Sequence, residues 1–476
     1  MYDVTIIGAG ITGAMTARTL AQYDIKICIL EKENDVAMGA TKANSAIVHA
    51  GFDAECGTLK AKLNVQGSQM MKQIADELGV KYINNGSLVI GFDEKDLEII
   101  KTLYRRGVQN GVKNLKIIDR KELAELEENI SEDAKYALYA PTGAIICPYE
   151  LTVAAVGNAM DNGAELKRGF EVQSIEYKNG VYEISSGKET VLSRYIINAA
   201  GLYADETARM AGDCSFNIRP RRGEYILLDK ECGGLVSHTI FRTPNEMGKG
   251  ILVTPTVDGN LLTGPTSVNT DDKENNDTTA EGFSGIMSES QKYVKNLRFN
   301  KSITSFCGLR AVGSTGDFII NSPKRGFINA AGIESPGLSS SPAIALYIRD
   351  MLINSGLVLN KKENYNPYRK PMNFFRTASV EEKNEIIKKD KSFGKVICRC
   401  ETVTEGEILY AMRQNPKPLD MDGVKRRTRA QMGRCQGGFC SPYIVEIISN
   451  ELGIPYERVT KSGGNSLINI KKTKGE

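Results

Sequence analysis

Residues 3–13 read DVTIIGAGITG, a short apolar run that breaks into glycines. DVTIIG suits a buried parallel strand. AMTARTLAQY (14–23) is a good helix former, and IKICILEKE (25–33) is a second apolar strand ending in an acid. The order is strand, G-x-G-x-x-G, helix, strand, Glu. Gly8 permits the tight turn, Gly10 lets the backbone approach a pyrophosphate, and Gly13 lets the helix pack closely on the strand. Ile11 and Thr12 open a helix whose N-terminus offers free N–H groups and a positive dipole end to phosphates. Glu31, followed by Lys32, stands 18 residues past Gly13, where an acid would bond a ribose diol. A 2′-phosphate would meet Glu31 with like charge, so a dinucleotide with an unmodified adenosine ribose is favoured. The motif alone does not choose between NAD and FAD.

The chain has 476 residues, which points to two or three domains. The 61 basic and 58 acidic residues leave a net charge of +3, and there is no basic arm, so nucleic acid is not an expected partner. MYDVTIIGAG lacks the basic stretch and cleavage site of a signal peptide, and no apolar run reaches the ~18 residues of a membrane span. The expected location is cytoplasmic, with peripheral attachment to the inner face of a membrane left open. In a reducing compartment the ten cysteines are not read as a disulfide framework.

Distant segments favour FAD. GATKANSAIVHAGF (39–52), YIINAAGLYAD (195–205) and INAAGIESPGLSSSPA (328–343) repeat the theme of a strand or loop with small-residue turns. A single NAD-binding unit would be local, whereas a longer cofactor touched by separated segments is easier to explain as FAD. These stretches, with RPRRGEYILLD (219–229) and GILVTPTVDGNLLTGPT (250–266), make the chain resemble the FAD-dependent D-amino acid oxidase superfamily. Within it the resemblance is closest to FAD-dependent glycerol-3-phosphate dehydrogenases and their L-2-hydroxyglutarate oxidase relatives. The resemblance implies that Thr41, Lys42, Ser45, Ala46 and Ile47 line the flavin and its pyrophosphate. It implies that Val172 contacts the adenine, that Ala200 and Gly201 pack on the AMP half, and that Gly308 and Arg310 lie near the isoalloxazine and substrate. Ser335, Gly337 and Leu338 would close over the flavin at a helix N-terminus.

The substrate side can be weighed residue by residue. Of two histidines, His49 (AIVHAGF) sits in the loop expected to reach the flavin and is either a catalytic residue or a satisfied core histidine; His238 (VSHTIFRTP) lies in the expected substrate region. Arg310 is the strongest anchor for a carboxylate or phosphate. Arg242, Lys249 and Arg221 or Arg222 are further substrate candidates, the alternative for each being a solvated surface charge, which is the favoured reading for Arg221 and Arg222. A small anionic alcohol is the expected substrate, with glycerol 3-phosphate foremost. L-2-hydroxyglutarate, an amine substrate, or a non-catalytic role in electron transfer or iron handling are the alternatives.

The expected architecture is α/β (α+β overall): a Rossmann-like FAD-binding domain (1–81, 146–214, 301–359), an antiparallel-sheet substrate-binding domain (82–145, 215–300), a linker (360–394), a small helical iron–sulfur domain (395–460) and a tail (461–476). The helical stretch DRKELAELEE reads as a solvated charged face. In the small unit, Cys398 and Cys400 form C-x-C; after 34 intervening residues Cys435 and Cys440 form C-x4-C. DGVKRRTRAQMG between them reads as a basic turn. About 65 residues make a poor core alone, and a metal centre supplies a staple. Structural zinc prefers C-x2–4-C knuckles, so C-x-C departs from zinc, and four thiolates without histidine suit a 2Fe–2S cluster. The spacing resembles the bacterioferritin-associated ferredoxin-like 2Fe–2S domain. Zinc and metal-free thiols remain open. An electron acceptor is then expected, either a flavoprotein subunit in a hetero-oligomer or a quinone. Arg399 and the Lys425–Arg429 run are read as stabilising the cluster or docking an acidic partner.

Overall fold

The computed structural model describes residues 1–244 and 250–471. The fingerprint builds the middle of an eight-stranded sheet. Tyr2–Ile7 pairs in parallel with Ile27–Glu31 on one side and Thr190–Asn198 on the other. Glu165–Arg168 extends the sheet beyond Ile27–Glu31, and Phe327–Ala331 joins Thr190–Asn198, both in parallel. Ile27–Glu31 and Phe327–Ala331 are buried along their whole length, as central parallel strands covered on both faces are.

Four helices share the core above this sheet: α1 (Ile11–Leu20), α2 (Leu59–Leu78), α3 (Pro148–Asp161) and α4 (Gly337–Asn354). Every residue of α1 is buried. Met15, Leu20, Met71, Val156, Ile344 and Ile348 meet there with Ile6 and Ile29. Each such side chain contributes ~1.5–3 kcal/mol by leaving water, so a polar residue at Ile344 would break the layer.

A second sheet of nine strands roofs the first. Its centre runs Ile218–Leu228, Leu261–Gly264, Leu252–Pro255 and Thr239–Arg242, and continues into Ser87–Gly91 and Tyr136–Ala140. Neighbours are antiparallel except Thr239–Arg242 and Ser87–Gly91, which run parallel. Ser302–Gly313, placed with the nucleotide unit on sequence, pairs along its length with Ile218–Leu228. Gly308 and Arg310 therefore descend from the roof.

The segment after 360 is more than a connector. It carries the short helices Phe374–Thr377 and Val380–Lys389, and Phe375 and Phe393 are buried against each other. The thiol module then forms a two-stranded ribbon, Val396–Cys398 with Val403–Thr404, and three helices, α5 (Glu405–Arg413), α6 (Met421–Thr428) and α7 (Ser441–Leu452). Thr404 and Glu407 start α5 with a reciprocal capping box. The expected basic turn DGVKRRT is helical: Asp420 caps α6 at Gly423, and Arg429 ends it in the left-handed region. Among the described residues no helix is long and apolar enough to cross a membrane.

Candidate dinucleotide cavity and thiol centre

A cavity of about 970 Å3 opens between the carboxyl ends of the first sheet and the underside of the second. That is the upper end of the ~300–1,000 Å3 usual for ligand sites, and the place where open α/β sheets bind ligands.

Its floor is the glycine turn. Gly8 has φ +103°, and a Cβ there would lie 2.4 Å from the Ala199 carbonyl oxygen. A Cβ on Gly13 would lie 2.0 Å from the Gly8 oxygen, so Gly13 sits behind the wall and serves helix–strand packing. Gly10 differs: a Cβ would meet only Thr41 Oγ1, at 3.3 Å, and Gly10 faces the cavity. α1 has no side-chain cap and no acid in its first turn, so its N-terminal dipole is left to an anion. Glu31 accepts from the N–H groups of Ala9 (2.8 Å) and Glu33 (3.0 Å) and keeps lone pairs for a ribose. Burial pushes its carboxyl up, against the pull of those two N–H groups.

The loop after Glu31 supplies the next wall. Lys32, Thr41, Lys42, Ser45 and Ile47 line the cavity, and Thr41 Oγ1 accepts from the Ile11 N–H (3.0 Å). Burial, then the Arg426 charge, lowers the Lys42 ammonium. Ala46 does not line the cavity. It has φ +61° and spends its N–H on Asn44 and its carbonyl on Ile146. Ile11, Thr12, Val172, Ala200, Gly201, Gly308, Ser335, Gly337 and Leu338 all face the cavity. α4 opens behind Pro336 with neither side-chain cap nor acid.

At the far end His49 Nε2 lies 3.4 Å from Ser335 Oγ, the His49 N–H donates to Ser339 Oγ (2.7 Å), and the ring tilts against Phe241. Arg310 donates to the carbonyls of Arg222 (3.4 Å) and Thr266 (3.3 Å) and, among the described residues, forms no ion pair. Tyr225, which sequence reasoning did not single out, joins this group: its hydroxyl is 3.2 Å from Ser45 Oγ. Burial raises the Tyr225 hydroxyl and Arg310 opposes it. Arg242 also lines the cavity, stacked over Phe92 and near Glu289.

Two substrate-side expectations change. His238 lies outside the cavity, its Nδ1 held 2.7 Å from Glu127 and its ring edge against Tyr139, because the strand it precedes aims it into the roof. Arg221 and Arg222 are not plain surface charges: Arg221 lines the cavity and Arg222 pairs with Glu224. Lys249 lies outside the described residues.

The four thiols form two pairs. Cys400 and Cys435 stand 3.5 Å apart, exposed and half-buried respectively, while Cys398 and Cys440 are buried and hydrogen-bonded to each other. Among the described residues no set of three or more ligating side chains gathers at one metal ion. Two pairs match a binuclear centre, where each iron takes two thiolates. Each pair favours a thiolate on one member only: the Cys398 thiol and burial raise Cys440, and, against the Cys435 N–H, burial and the Cys435 thiol raise Cys400. The Cys440 thiol, then the Gln431 and Glu401 N–H groups, bring Cys398 down to about 6. Burial raises Cys435, but the Cys400 thiol and the N–H groups of Gly437, Phe439 and Gly438 outweigh it. Arg399 is exposed beside this centre. The basic run is not available to a partner: Arg426 and Arg427 are buried on Asp35, and Arg429 is bonded to Glu401 and Asp258.

Comparison with known proteins gives this geometry a family. Residues 3–351 match the model described as FAD dependent oxidoreductase, and residues 396–450 match the BFD-like [2Fe-2S] binding domain. The chain belongs to the FAD-dependent oxidoreductase family and carries a second, 2Fe–2S module; its cofactors are FAD and a 2Fe–2S cluster. It is 49% identical over 478 residues to the glycerol 3-phosphate dehydrogenase of Caloramator mitchellensis, covering 100% of both chains. It is 33% identical to the mitochondrial L-2-hydroxyglutarate dehydrogenase of Nematostella vectensis over 56% of this chain and 62% of that one. The FAD-bound L-alpha-glycerophosphate oxidase structure from Mycoplasma pneumoniae superposes with a TM-score of 0.73 at 29% identity, covering 77% of this chain and 98% of that one. The protein is an FAD-dependent oxidoreductase of glycerol-3-phosphate dehydrogenase type.

Proposed function

We propose that the enzyme oxidises glycerol 3-phosphate to dihydroxyacetone phosphate and passes the electrons through the 2Fe–2S cluster to a second flavoprotein subunit or a quinone. The observation that carries this reading is Arg310: a guanidinium hung from the roof into the cavity that His49 also lines, bonded to two carbonyls and beside the Tyr225 hydroxyl, with no ion pair among the described residues. A planar fork without a counter-charge suits a phosphate dianion.

Oxidation removes a hydride from the C2–H bond and a proton from the C2 hydroxyl. FAD, when bound, takes the hydride with its two electrons. The residues proposed to hold it are Gly8, Gly10, Ile11, Thr12, Glu31 and Lys32 at the adenosine and pyrophosphate end. Thr41, Lys42, Ser45, Ile47, Val172, Ala200, Gly201, Gly308, Ser335, Gly337 and Leu338 complete the wall. Arg310, with Arg242 as a second cation lining the same cavity, orients the phosphate. His49, steadied by Ser335 and Ser339, takes the hydroxyl proton. Cys398, Cys400, Cys435 and Cys440 ligate the cluster.

A relative that is 49% identical along the full chain and bears the dehydrogenase name supports this substrate over L-2-hydroxyglutarate. The test is anaerobic mixing. Glycerol 3-phosphate should bleach the flavin absorbance of the wild type and of Cys435→Ser, while only the wild type then reduces a downstream acceptor. Bleaching by L-2-hydroxyglutarate and not by glycerol 3-phosphate would overturn the substrate assignment.

A further inference from the structure

Asp35 lies on the loop that leaves the strand Ile27–Glu31 and is 1% exposed. Its partners come from the thiol module. Arg426 donates to Oδ2 through Nε (3.2 Å) and Nη2 (2.5 Å). Arg427 presents a two-pronged fork, Nη1 to Oδ2 and Nη2 to Oδ1, both at 2.8 Å. Arg427 is locked by further bonds to the carbonyls of Pro416 and Gly423. Burial alone would raise the Asp35 carboxyl, but Arg427 and Arg426 override it and hold it well below the carboxylate range. Removing one partner of such a buried set strands a charge in the interior. Next to it, Asn34 donates to Asp420, and Arg168 donates to the Lys417 carbonyl (2.8 Å).

The same loop reaches the dinucleotide turn. The Ala37 N–H donates to the Ala9 carbonyl (3.0 Å), and Thr41 receives the Ile11 N–H. Glu31–Glu33 and Met38–Lys42 are cavity wall. The stretch 32–42 is therefore bonded to α6 at Asp35 and to the Gly8–Gly13 turn on either side of Ala40.

We propose that Asp35, Arg426 and Arg427 are positioning residues that couple the two cofactor sites. None of them lines the dinucleotide cavity. Docking of the thiol module fixes the 32–42 loop against the glycine turn, so FAD binds more tightly when the module is in place. By reciprocity, bound FAD holds the module more firmly. Small metal-centred units fold with their metal. A chain lacking its cluster should then need more free FAD to saturate, while still accepting substrate electrons on the flavin it holds. The Mycoplasma pneumoniae oxidase holds FAD over a chain that matches only 77% of this one, so the fold as such does not need the module. The dependence arises here from a loop acid that needs two guanidiniums.

The test uses full-length, cluster-loaded protein freed of flavin, with FAD titrated in and followed by quenching of its fluorescence. Asp35→Asn should weaken FAD binding at least fivefold, the low end of typical couplings of ~5–150-fold. Arg427→Lys, which keeps the charge and loses the fork, should shift it the same way by less and carries the test if Asp35→Asn does not fold. In the wild type, saturating FAD should raise the urea midpoint for loss of cluster absorbance, and the rise should shrink in the variants. A merely structural seam would lower that midpoint and leave FAD affinity unchanged. FAD affinity within twofold of wild type in the folded variants overturns the proposal.

Discussion

Gly8 and Gly10 stand two residues apart in the same turn, yet substitution by alanine should separate fold from ligand. At Gly8, φ +103° is a region that an L-residue enters at a cost of ~1–3 kcal/mol. The new Cβ would also lie 2.4 Å from the Ala199 carbonyl oxygen, a backbone atom of the neighbouring strand that no rotamer change can move. Overpacking of that kind adds ~1–3 kcal/mol. The sum is a large share of the ~5–15 kcal/mol that holds a domain together. Gly10 has φ −73° and ψ 179°, open to any residue, and its Cβ would meet only Thr41 Oγ1 at 3.3 Å. The fold should lose under ~1 kcal/mol at this uncapped helix start. The methyl group, however, fills the space through which a pyrophosphate approaches the helix N-terminus. FAD affinity should fall at least tenfold, which corresponds to ~1.4 kcal/mol. Thermal melting of flavin-free protein, followed by FAD titration, reads both quantities. Gly8→Ala should melt well below wild type, and Gly10→Ala should melt near it but bind FAD weakly. Unchanged FAD affinity in Gly10→Ala would refute the assignment of this turn to the pyrophosphate, whatever the melting temperatures.

Arg310→Met should raise the KM for glycerol 3-phosphate by ~30-fold or more, from the ~2 kcal/mol lower bound for truncating one partner of a buried charge pair, with FAD affinity unchanged. His49→Asn should lower the rate of anaerobic flavin bleaching by ~10²–10⁴-fold without loss of flavin, which stopped-flow absorbance would show. The Asp35 carboxyl is held below its ordinary 3.8 in the folded chain, so it stabilises the fold above that pH and the contribution fades as pH falls below it. Urea unfolding should therefore find the gap between wild type and Asp35→Asn full at pH 7 and narrowing on acidification below 3.8. A gap that widens with acid would contradict the ion-paired assignment.

The parts legible in the sequence were those in which one stretch of chain carries its own instruction. The fingerprint at 3–13 announces a strand, a turn that needs glycine and a helix start, and all three stand where expected. The thiols were equally legible, since C-x-C and C-x4-C can approach each other only if the module folds back on itself. Misreadings fell where a side chain's role depends on a strand's neighbours. VSHTIFRTP placed His238 in the right sheet, but its ring points to Glu127, 111 residues away, and no local pattern says so. Ser302–Gly313 fell inside the 301–359 segment expected in the FAD-binding domain, and its pairing with Ile218–Leu228 puts it in the roof sheet.

The basic run shows most clearly why a charge cluster cannot be assigned from sequence alone. KRRTR reads as a surface for an acidic partner, and the partner exists, but it is Asp35 of the same chain. A guanidinium buried beside a carboxylate and one waiting in solvent look identical in a sequence. What distinguishes them is desolvation, which demands that every N–H find an acceptor. Arg427 meets that demand with Asp35, Pro416 and Gly423, and it could do so only because α6 lies against the loop that builds the FAD wall. The thiol module and the flavin cavity are therefore not joined by the 360–394 segment alone. They share a buried ionic seam, and an acceptor docking at the exposed Cys400 edge would meet a module already fixed in place.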